Sequence, residues 1–227
     1  MKELARMNEI SINQNPSPWN KQSRNSIKVL FLNCAGLKPH FEDFKKDKNV
    51  SKADIINIAE TSILPTDNED LFALQGYEHS FLKVGSGKGI GNYYKIDMFK
   101  ADKTLVMERF QAAKFKNEKI DIIAIYRSHA LNSSTILQEL TKLIDLKRTT
   151  LIVGDFNLCY KENANHRLIK GLEELGFKQL LHEPTHIRGR TIDHAYLLEE
   201  NRRMKIAIER YSPYYSDHDA ICIIFHE

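Results

Sequence analysis

Short apolar runs separated by polar breaks recur along the chain from residue 27 to its end. Many of these runs are rich in β-branched residues and have the length of strands. They predict strands at 27–33, 54–60, 119–126, 150–157, 190–198, 204–209 and 220–225. Weaker strand signals lie at 92–96 and 105–115. Strands are therefore expected along nearly the whole chain.

Helical spacing of apolar residues predicts helices between some of these strands. One is expected at 133–147, where Thr135 and Gln138 suit a capping box, and another at 165–176. A shorter helix is expected at 40–47. The pattern contains no internal repeat.

Residues 1–26 differ from the rest of the chain. They are rich in Asn, Ser, Lys and Pro and show no apolar period, which predicts a flexible N-terminal tail with Trp19 as its apolar anchor. A length of 227 residues suits one large domain better than two small ones. We expect that domain to be catalytic and to cover 27–227.

The bulk composition is that of an ordinary globular protein, with 42% hydrophobic and 28% charged residues. The formal net charge of +3 permits an anionic partner but does not indicate one. No stretch approaches the roughly 20 apolar residues that a membrane span needs, and the N-terminus lacks the apolar core of a signal peptide. We therefore expect an intracellular protein with no membrane partner.

The cysteines and histidines do not predict a disulfide framework or a zinc site. The chain contains three cysteines, all far apart and in or beside apolar runs: Cys34, Cys159 and Cys222. This pattern fits reduced thiols in an intracellular protein. His182 and His186 come nearest to zinc-ligand spacing, but Pro184 disrupts the helix that would align them.

The run at 150–157 ends on polar residues, although its apolar part predicts a buried strand. Residues two apart in a strand face the same way, roughly 6.5–7 Å from each other, so Asp155 and Asn157 would point together while Phe156 enters the core. Gly154 would let another group approach the backbone closely. An ordinary turn at the strand end is the alternative, because Asp and Asn both favour turns.

Other strand ends carry residues of the same kind, which favours a functional site. These residues are Asn33, Glu60, Asp193, Asp217 and His218. Glu60, Asp155 and Asp217 offer hard oxygen ligands and no thiolate, which suits Mg²⁺ or Mn²⁺ better than zinc. A carboxylate such as Asp193 can fix the tautomer of His218 and stabilise its charged form.

The order LNCAG, AE, Y, GDFN, IDH and SDH resembles the endonuclease/exonuclease/phosphatase superfamily over about residues 27–226. It is most similar to apurinic-type endonuclease domains of mobile elements, such as non-LTR retrotransposons and helicase-bearing transposons. The resemblance implies an α/β fold, a four-layered α/β sandwich with two mixed β-sheets face to face and helices outside. It also implies DNA as partner, Mg²⁺ (or Mn²⁺) as cofactor, a nuclear location and a link to helicase or reverse transcriptase functions of a mobile element.

The resemblance further implies a role for each matching residue. Glu60 would bind the metal directly, with Asn33 and Asp217 in support. Asp155 would position or deprotonate the attacking water, and Asn157 would hold Asp155 and the phosphate. The remaining catalytic residues are Tyr126, which would donate to a phosphate oxygen, His218, which would contact the phosphate or act as general acid/base, and Asp193, which would orient His218.

Two departures from the superfamily pattern affect substrate binding. Tyr126 is followed by Arg127-Ser128-His129, so His129 either replaces a phosphate-binding amide or is a solvated loop histidine. The family's Thr-Arg reads Thr185-His186 here, which puts a DNA-flank contact in doubt. The candidate substrate-binding residues are Arg127, His129, Thr185 and Arg190.

Three functions remain open at this point. The first is a divalent-metal-dependent phosphodiester hydrolase, namely a DNA endonuclease that nicks its target. The second is a phosphatase or RNA nuclease of the same superfamily, because loops rather than the core site select the substrate. The third is a domesticated DNA-binding module without catalytic activity.

Overall fold

The computed structural model describes residues 18–20, 26–128, 133–200 and 204–226. Their strands form two six-stranded sheets. Sheet A contains, in spatial order, β11 (Lys205–Tyr211), β12 (Ala220–His226), β1 (Ser26–Asn33), β2 (Ile55–Ala59), β4 (Ile90–Tyr94) and β3 (Glu78–Leu82). Sheet B contains β5 (Lys100–Met107), β6 (Phe110–Lys116), β7 (Asp121–Arg127), β8 (Thr150–Asp155), β10 (Asp193–Leu198) and β9 (Lys178–Gln179).

Each sheet contains one parallel pair of strands near its centre. β1 runs parallel to β2 and β7 runs parallel to β8, whereas the other pairs of neighbours are antiparallel. Both sheets are therefore mixed. The carboxyl ends of the two strands in a parallel pair emerge at the same edge of the sheet, which is where the polar strand ends of the sequence lie.

The two sheets pack face to face with the helices outside them. Residues of both sheets, such as Phe31 and Val153, belong to one buried apolar cluster between the sheets. Helix α1 (Leu37–Lys46) covers the outer face of sheet A through Phe44. Helices α2 (Ser133–Thr141) and α3 (Arg167–Glu174) cover the outer face of sheet B. This confirms the predicted four-layered α/β sandwich.

The seven strong strand predictions and the weaker one at 92–96 are confirmed, with shifts of at most three residues at their ends. The helix expected at 133–147 ends at Thr141, because the chain then turns through i→i+3 hydrogen bonds such as Ile144 N to Thr141 O. The predicted capping box is wrong, since Thr135 lies inside α2. The helix expected at 40–47 begins earlier, at Leu37.

Strands at the sheet edges are the main omission of the sequence prediction. The single signal at 105–115 is in fact a hairpin of β5 and β6, and β3 and β9 had no predicted counterpart. β3, β5 and β9 are all edge strands. An edge strand with charged, exposed residues, such as β5, lacks the apolar alternation that marks a half-buried strand.

Within residues 1–26, the structure describes residues 18–20 and Ser26. Trp19 is buried in the cluster beneath α1, and its backbone carbonyl accepts a hydrogen bond from Lys28 Nζ at 2.8 Å. The remainder of the predicted tail, apart from Ser26, lies outside the described residues. None of the described helices is long and apolar enough to cross a membrane.

Gly154 in β8 allows the close approach of β7 that the sequence suggested. A Cβ atom at this position would overlap the carbonyl oxygen of Ile125. We expect Gly154→Ala to lower the free energy of unfolding by about 2–3 kcal/mol, because a buried backbone must move. Urea unfolding measures this, with Gly85→Ala as control, since a Cβ at Gly85 meets no atom within 4 Å. Equal unfolding free energies for the two variants would contradict the packing argument.

Candidate active site

Seven of the predicted site residues meet at the edge where the two parallel strand pairs end. Asn33 and Asp155 are the last residues of β1 and β8, and Glu60 directly follows β2. Asp193 begins β10 opposite Asp155 in the antiparallel register. The other three are Tyr126 in β7, Asn157 beyond β8 and His218 before β12. Residues distant in sequence therefore meet here through the fold.

The backbone beside these strand ends adopts an unusual conformation. The non-glycine residues with positive φ in the described part of the chain are Ala35, Glu60, Ser62 and Asn157. All four lie within three residues of the end of β1, β2 or β8. Left-handed conformations of non-glycine residues are costly and concentrate at functional sites. The strained backbone at these strand ends therefore favours a functional site at this edge of the sheets.

Asp155 is buried and held by three N–H donors. Its Oδ1 accepts the backbone N–H of Asn157 at 2.8 Å, and its Oδ2 accepts Nδ2 of Asn33 at 2.9 Å and Nδ2 of Asn157 at 3.2 Å. Asn157 also donates Nδ2 to the carbonyl of Arg127 at 2.7 Å. The predicted convergence of Asp155 and Asn157 is thus produced by a left-handed turn rather than by a continuing strand, and Phe156 is buried as expected.

Asp193 and His218 form a buried hydrogen-bonded pair. His218 Nδ1 lies 2.8 Å from Asp193 Oδ2. Thr185 Oγ1 accepts the backbone N–H of Asp193 at 3.2 Å, and Ser216 Oγ accepts that of His218 at 3.0 Å. Asp193 Oδ1 is buried without a hydrogen-bond partner among the described residues. These hydrogen bonds hold the His218 imidazole in one orientation at the edge of the sheets.

The charges of this cluster shift the pKa values of Asp155 and His218 upward. Burial, together with the neighbouring Asp193 carboxylate, raises the pKa of Asp155 to about 8. Burial alone would lower the pKa of His218, but the hydrogen bond and charge of Asp193, with smaller contributions from Asp155 and Asp217, raise it to about 9. His218 is accordingly a cation at neutral pH.

These shifts predict a pH dependence of stability in metal-free protein. Because the folded pKa of His218 exceeds its unfolded value of 6.5, its stabilising contribution is complete below that pH and is lost as pH rises through about 9. His218→Gln should therefore lower the melting temperature most near pH 6 and progressively less toward pH 9. Thermal unfolding in EDTA measures this, with His182→Gln as control at an exposed position. A pH-independent difference for His218→Gln would contradict the charged pair.

Glu60 lies beside this cluster and has two partners, a tyrosine hydroxyl and a lysine ammonium group. Its Oε1 accepts the hydroxyl proton of Tyr126 at 2.8 Å and lies 3.1 Å from Lys88 Nζ. Tyr126 adjoins Asp155 in the register of β7 and β8, which links Glu60 to the buried carboxylate. Since a hydroxyl donates one proton, Tyr126 must release Glu60 before it donates to a phosphate.

The donor set at Glu60 fits a hard divalent cation. The Glu60 carboxylate is 21% exposed and already has an ammonium group as neighbour, so this position accommodates positive charge. Asn33 contributes a carboxamide at the same edge, although its Oδ1 accepts the backbone N–H of Ala35 at 3.0 Å. Carboxylate and amide oxygens are the ligands that Mg²⁺ prefers.

Two compact groups of side chains could in principle ligate a metal, and the first of them is better interpreted as a hydrogen-bonded acid/base cluster. Ligand atoms of Asp155, Asp193 and His218 lie within 4.8 Å of one another. However, the Nδ1 of His218 and the Oδ2 of Asp193 already share a proton in their hydrogen bond. The two atoms satisfy each other in this arrangement.

The second compact group contains His186, Asp217 and His218. His186 Nδ1 accepts the backbone N–H of Arg188 at 3.0 Å, so its ring proton lies on Nε2, which is 3.2 Å from Asp217 Oδ2. A metal-ligating histidine normally donates from its second ring nitrogen, and His186 cannot do so here. His186 therefore holds Asp217, whose side chain remains 45% exposed.

The predicted substrate-binding residues do not form one surface. Arg127 is buried and donates Nη1 to the carbonyl of Phe156 at 3.1 Å, so its guanidinium contacts the protein interior. Thr185 is also buried and supports Asp193 rather than presenting its hydroxyl to a ligand. The side chain of Arg190 is 40% exposed, and its Nη2 lies 3.8 Å from Glu162 Oε2. His129 lies outside the described residues.

Sequence reasoning missed the roles of three neighbours of the site. The sequence did not predict Lys88 as a partner of Glu60. Ser216 donates Oγ to the carbonyl of Asn33 at 2.6 Å and so ties the SDH segment to β1. His186 entered in connection with zinc-ligand spacing and as a departure from the superfamily pattern, but not as a partner of Asp217. The SDH motif was the available signal for Ser216, whereas the other two contacts depend on loop positions.

Comparisons with solved structures identify the same architecture. The chain is similar to the endonuclease domain of TRAS1, a telomere-specific non-LTR retrotransposon, with TM-score 0.67, 15% identity and coverage of 88% of this chain and 98% of that one. An AP endonuclease from Archaeoglobus fulgidus gives TM-score 0.64, 18% identity and coverage of 88% and 99%. The human Nocturnin catalytic domain gives 0.62, 15%, 88% and 93%.

These likenesses show that the chain shares the fold of these solved structures, which agrees with the four-layered α/β sandwich expected from the sequence. No protein-family model and no curated protein matches the chain. At the 15–18% identity of these three structures, a shared fold does not carry a shared substrate. Function must be argued from the site residues themselves.

Proposed function

We propose that this protein is a divalent-metal-dependent phosphodiester hydrolase that nicks DNA, of mobile-element origin. The observation that carries the proposal is the meeting of a held carboxylate, Asp155, with a charged imidazole, His218, at one edge of the sandwich. A phosphodiester hydrolase needs a group that orients water and a group that stabilises the departing oxygen. The two residues are suited to these tasks.

Glu60 would hold Mg²⁺ directly, with Asn33 and Asp217 in support, and Mn²⁺ is the alternative ion. Bound there, the ion supplies Lewis-acid stabilisation of phosphate charge. The acidic residues of the site would repel a phosphate by themselves, and Lys88 and His218 offset only part of this charge. The metal would therefore be needed to bind the phosphate substrate as well as to accelerate its hydrolysis.

Asp155 orients the attacking water in this proposal. Asn33 and Asn157 fix both carboxylate oxygens through N–H donors, so the remaining lone pairs have defined directions. The raised pKa makes Asp155 a stronger base than a solvent-exposed carboxylate once it is ionised. Binding of a cation near the site favours that ionised form.

His218 acts as the cationic partner of the phosphate. Its Nδ1 faces Asp193, so Nε2 is the nitrogen that can donate to the phosphate or to the leaving oxygen. Its pKa of about 9 keeps the proton on the ring at neutral pH, which favours a general acid over a general base. Asp193 holds the ring in place and stabilises its charge.

DNA is the preferred substrate for two reasons. Arg188 and Arg190 lie on the exposed loop that follows His186 and can contact a nucleic-acid backbone. The fold is also similar to that of a retrotransposon endonuclease domain and an AP endonuclease. We further propose a nuclear location and a link to helicase or reverse transcriptase functions of an element. A phosphatase or RNA nuclease remains the second candidate, because loops rather than the shared fold select the substrate.

Nicking of supercoiled plasmid in Mg²⁺ tests the proposal. We expect conversion to open circles, its loss in EDTA, and little release of phosphate from a phosphomonoester. Asp155→Asn is the control for a contaminating nuclease and should reduce nicking by about 10²–10⁴-fold. Phosphomonoester or RNA cleavage without nicking would favour the second candidate, and DNA binding without any cleavage would indicate a non-catalytic module.

A further inference from the structure

Lys88 places a positive charge on the carboxylate that we assign to the metal. Its Nζ lies 3.1 Å from Glu60 Oε1, the oxygen that also accepts the Tyr126 hydroxyl at 2.8 Å. Both Lys88 and Tyr126 therefore neutralise or satisfy the atom that a divalent ion would bind. A metal and an ammonium compete for one oxygen in this arrangement.

The position of Lys88 is fixed by its backbone. Thr61 N donates to Gly89 O at 3.1 Å and Ser62 N donates to Gly87 O at 2.7 Å, so the residues on both sides of Lys88 are tied to the segment that carries Glu60. Gln111 Nε2 donates to the Lys88 carbonyl itself at 3.4 Å. The Lys88 backbone is thus held where its side chain can contact the Glu60 carboxylate.

The glycines of this loop permit the close approach. A Cβ at Gly89 would overlap the carbonyl oxygen of Leu82, and Gly87 has φ +73. By contrast, the Lys88 side chain is 57% exposed and keeps its freedom to turn. A fixed backbone with a mobile charged end suits a group that exchanges between two anionic partners.

A cavity of about 570 Å³ next to Lys88 offers the second partner a place. Its lining includes Ser86, Lys88, Arg109, Tyr126 and Ser128. Lys88 and Arg109 give this cavity two cationic side chains, although Glu108 also lines it and its Oε1 lies 3.9 Å from Arg109 Nε; Tyr126 and Ser128 add hydroxyl groups. Such a set is suited to a phosphate of a nucleic-acid strand beside the scissile bond.

We propose that Lys88 is an exchangeable cation. It neutralises Glu60 in the metal-free protein, is displaced when a divalent ion binds there, and then contacts a substrate phosphate in the adjoining cavity. The inference rests on the proposed function, because it assumes that Glu60 is the metal residue and that the substrate is a polyanion. Coulomb repulsion between the bound ion and the ammonium drives the displacement.

Metal binding without nucleic acid tests the first half of the inference. Mn²⁺ affinity is measured by the electron paramagnetic resonance signal of the free ion, for wild type, Lys88→Met, Lys88→Arg and Lys83→Met. We expect Lys88→Met to bind Mn²⁺ about threefold to fivefold more tightly, because an exposed ion pair opposes the metal only modestly. Lys88→Arg should resemble wild type. Lys83→Met should also resemble wild type, because the Nζ of Lys83 donates to the carbonyl of Asp67 and not to Glu60.

Binding of a phosphorothioate DNA duplex in Mn²⁺ tests the second half. Lys88→Met should bind it about threefold to tenfold more weakly, with the slope of log affinity against log salt reduced by about 1. A purely structural ion pair would not give tighter metal binding and weaker DNA binding in one variant. Unchanged or weaker Mn²⁺ binding by Lys88→Met overturns the exchange, and unchanged DNA binding overturns the phosphate contact.

The plasmid assay separates this inference from the proposed function. If Lys88→Met binds Mn²⁺ more tightly and DNA more weakly than wild type, but the wild-type protein does not nick plasmid, the exchange by Lys88 is supported and the endonuclease function is rejected. If the wild-type protein nicks plasmid but Lys88→Met shows neither shift in affinity, the endonuclease function is supported and the exchange by Lys88 is rejected. A wild type without measurable Mn²⁺ binding overturns the exchange.

Discussion

Glu60→Gln is expected to reduce the rate of nicking by about 10³-fold or more and to abolish Mn²⁺ binding, with little change in stability. The carboxamide oxygen can still accept the Tyr126 hydroxyl, and the strained backbone at φ 55 is the same for both side chains. What the substitution removes is the negative charge that holds a divalent ion. Loss of the Lys88 ion pair costs little, because that pair is exposed to solvent.

Single-turnover nicking against Mg²⁺ concentration measures the catalytic effect, and thermal unfolding measures stability. Glu78→Gln, on the exposed residue that begins β3, is the matched control and should resemble wild type in both. Full nicking by Glu60→Gln at low Mg²⁺ would show that the metal residue lies elsewhere. A large fall in melting temperature would instead assign Glu60 a structural role.

The sequence predicted the fold, and the placement of polar residues at strand ends, wherever a single chain segment carries the information. Asn33, Asp155 and Asp193 stand at the ends of buried apolar strands, and parallel and antiparallel pairing brings such ends together. An apolar strand that stops at a polar residue is visible without any tertiary structure. The same is true of Gly154, which has no side chain to oppose the neighbouring strand.

Other features depend on contacts between segments that no local pattern encodes. Lys88 reaches Glu60 because Thr61 and Ser62 donate hydrogen bonds to the loop that carries it. Arg127 follows Tyr126 directly, and its basic side chain suggested substrate contact. The structure buries that side chain against the carbonyl of Phe156. Whether a charged residue faces a ligand or the protein interior is decided by packing, which sequence alone did not provide.

The pair formed by Asp193 and His218 is expected to behave as one unit in catalysis. Asp193→Asn keeps the size of the side chain but removes the charge that raises the pKa of His218. The carboxamide can also favour the wrong imidazole tautomer. We expect the turnover of Asp193→Asn to fall by about 10²–10³-fold with nearly unchanged DNA binding, and that of His218→Ala to fall by a similar factor.

The double substitution distinguishes a coupled pair from two independent residues. Once His218 is absent, Asp193 has no ring to orient, so Asp193→Asn with His218→Ala should be little slower than His218→Ala alone. Additive losses in single-turnover rate would reject the coupling. Thr185 supplies a control for the local backbone, because Thr185→Val removes the acceptor of the Asp193 N–H and leaves the carboxylate in place.

The pH profile of the rate provides a readout that a structural Asp193 would not affect. In wild type the charged form of His218 persists up to its pKa of about 9. Without the Asp193 charge, burial lowers that pKa, so the rate of Asp193→Asn should begin to decline at a lower pH than that of wild type. If Asp193 only stabilised the fold, the variant would melt at a lower temperature while the rate per folded molecule kept the wild-type profile. A decline that moves to lower pH in Asp193→Asn but stays in place in Thr185→Val would assign the effect to the charge of Asp193 on His218.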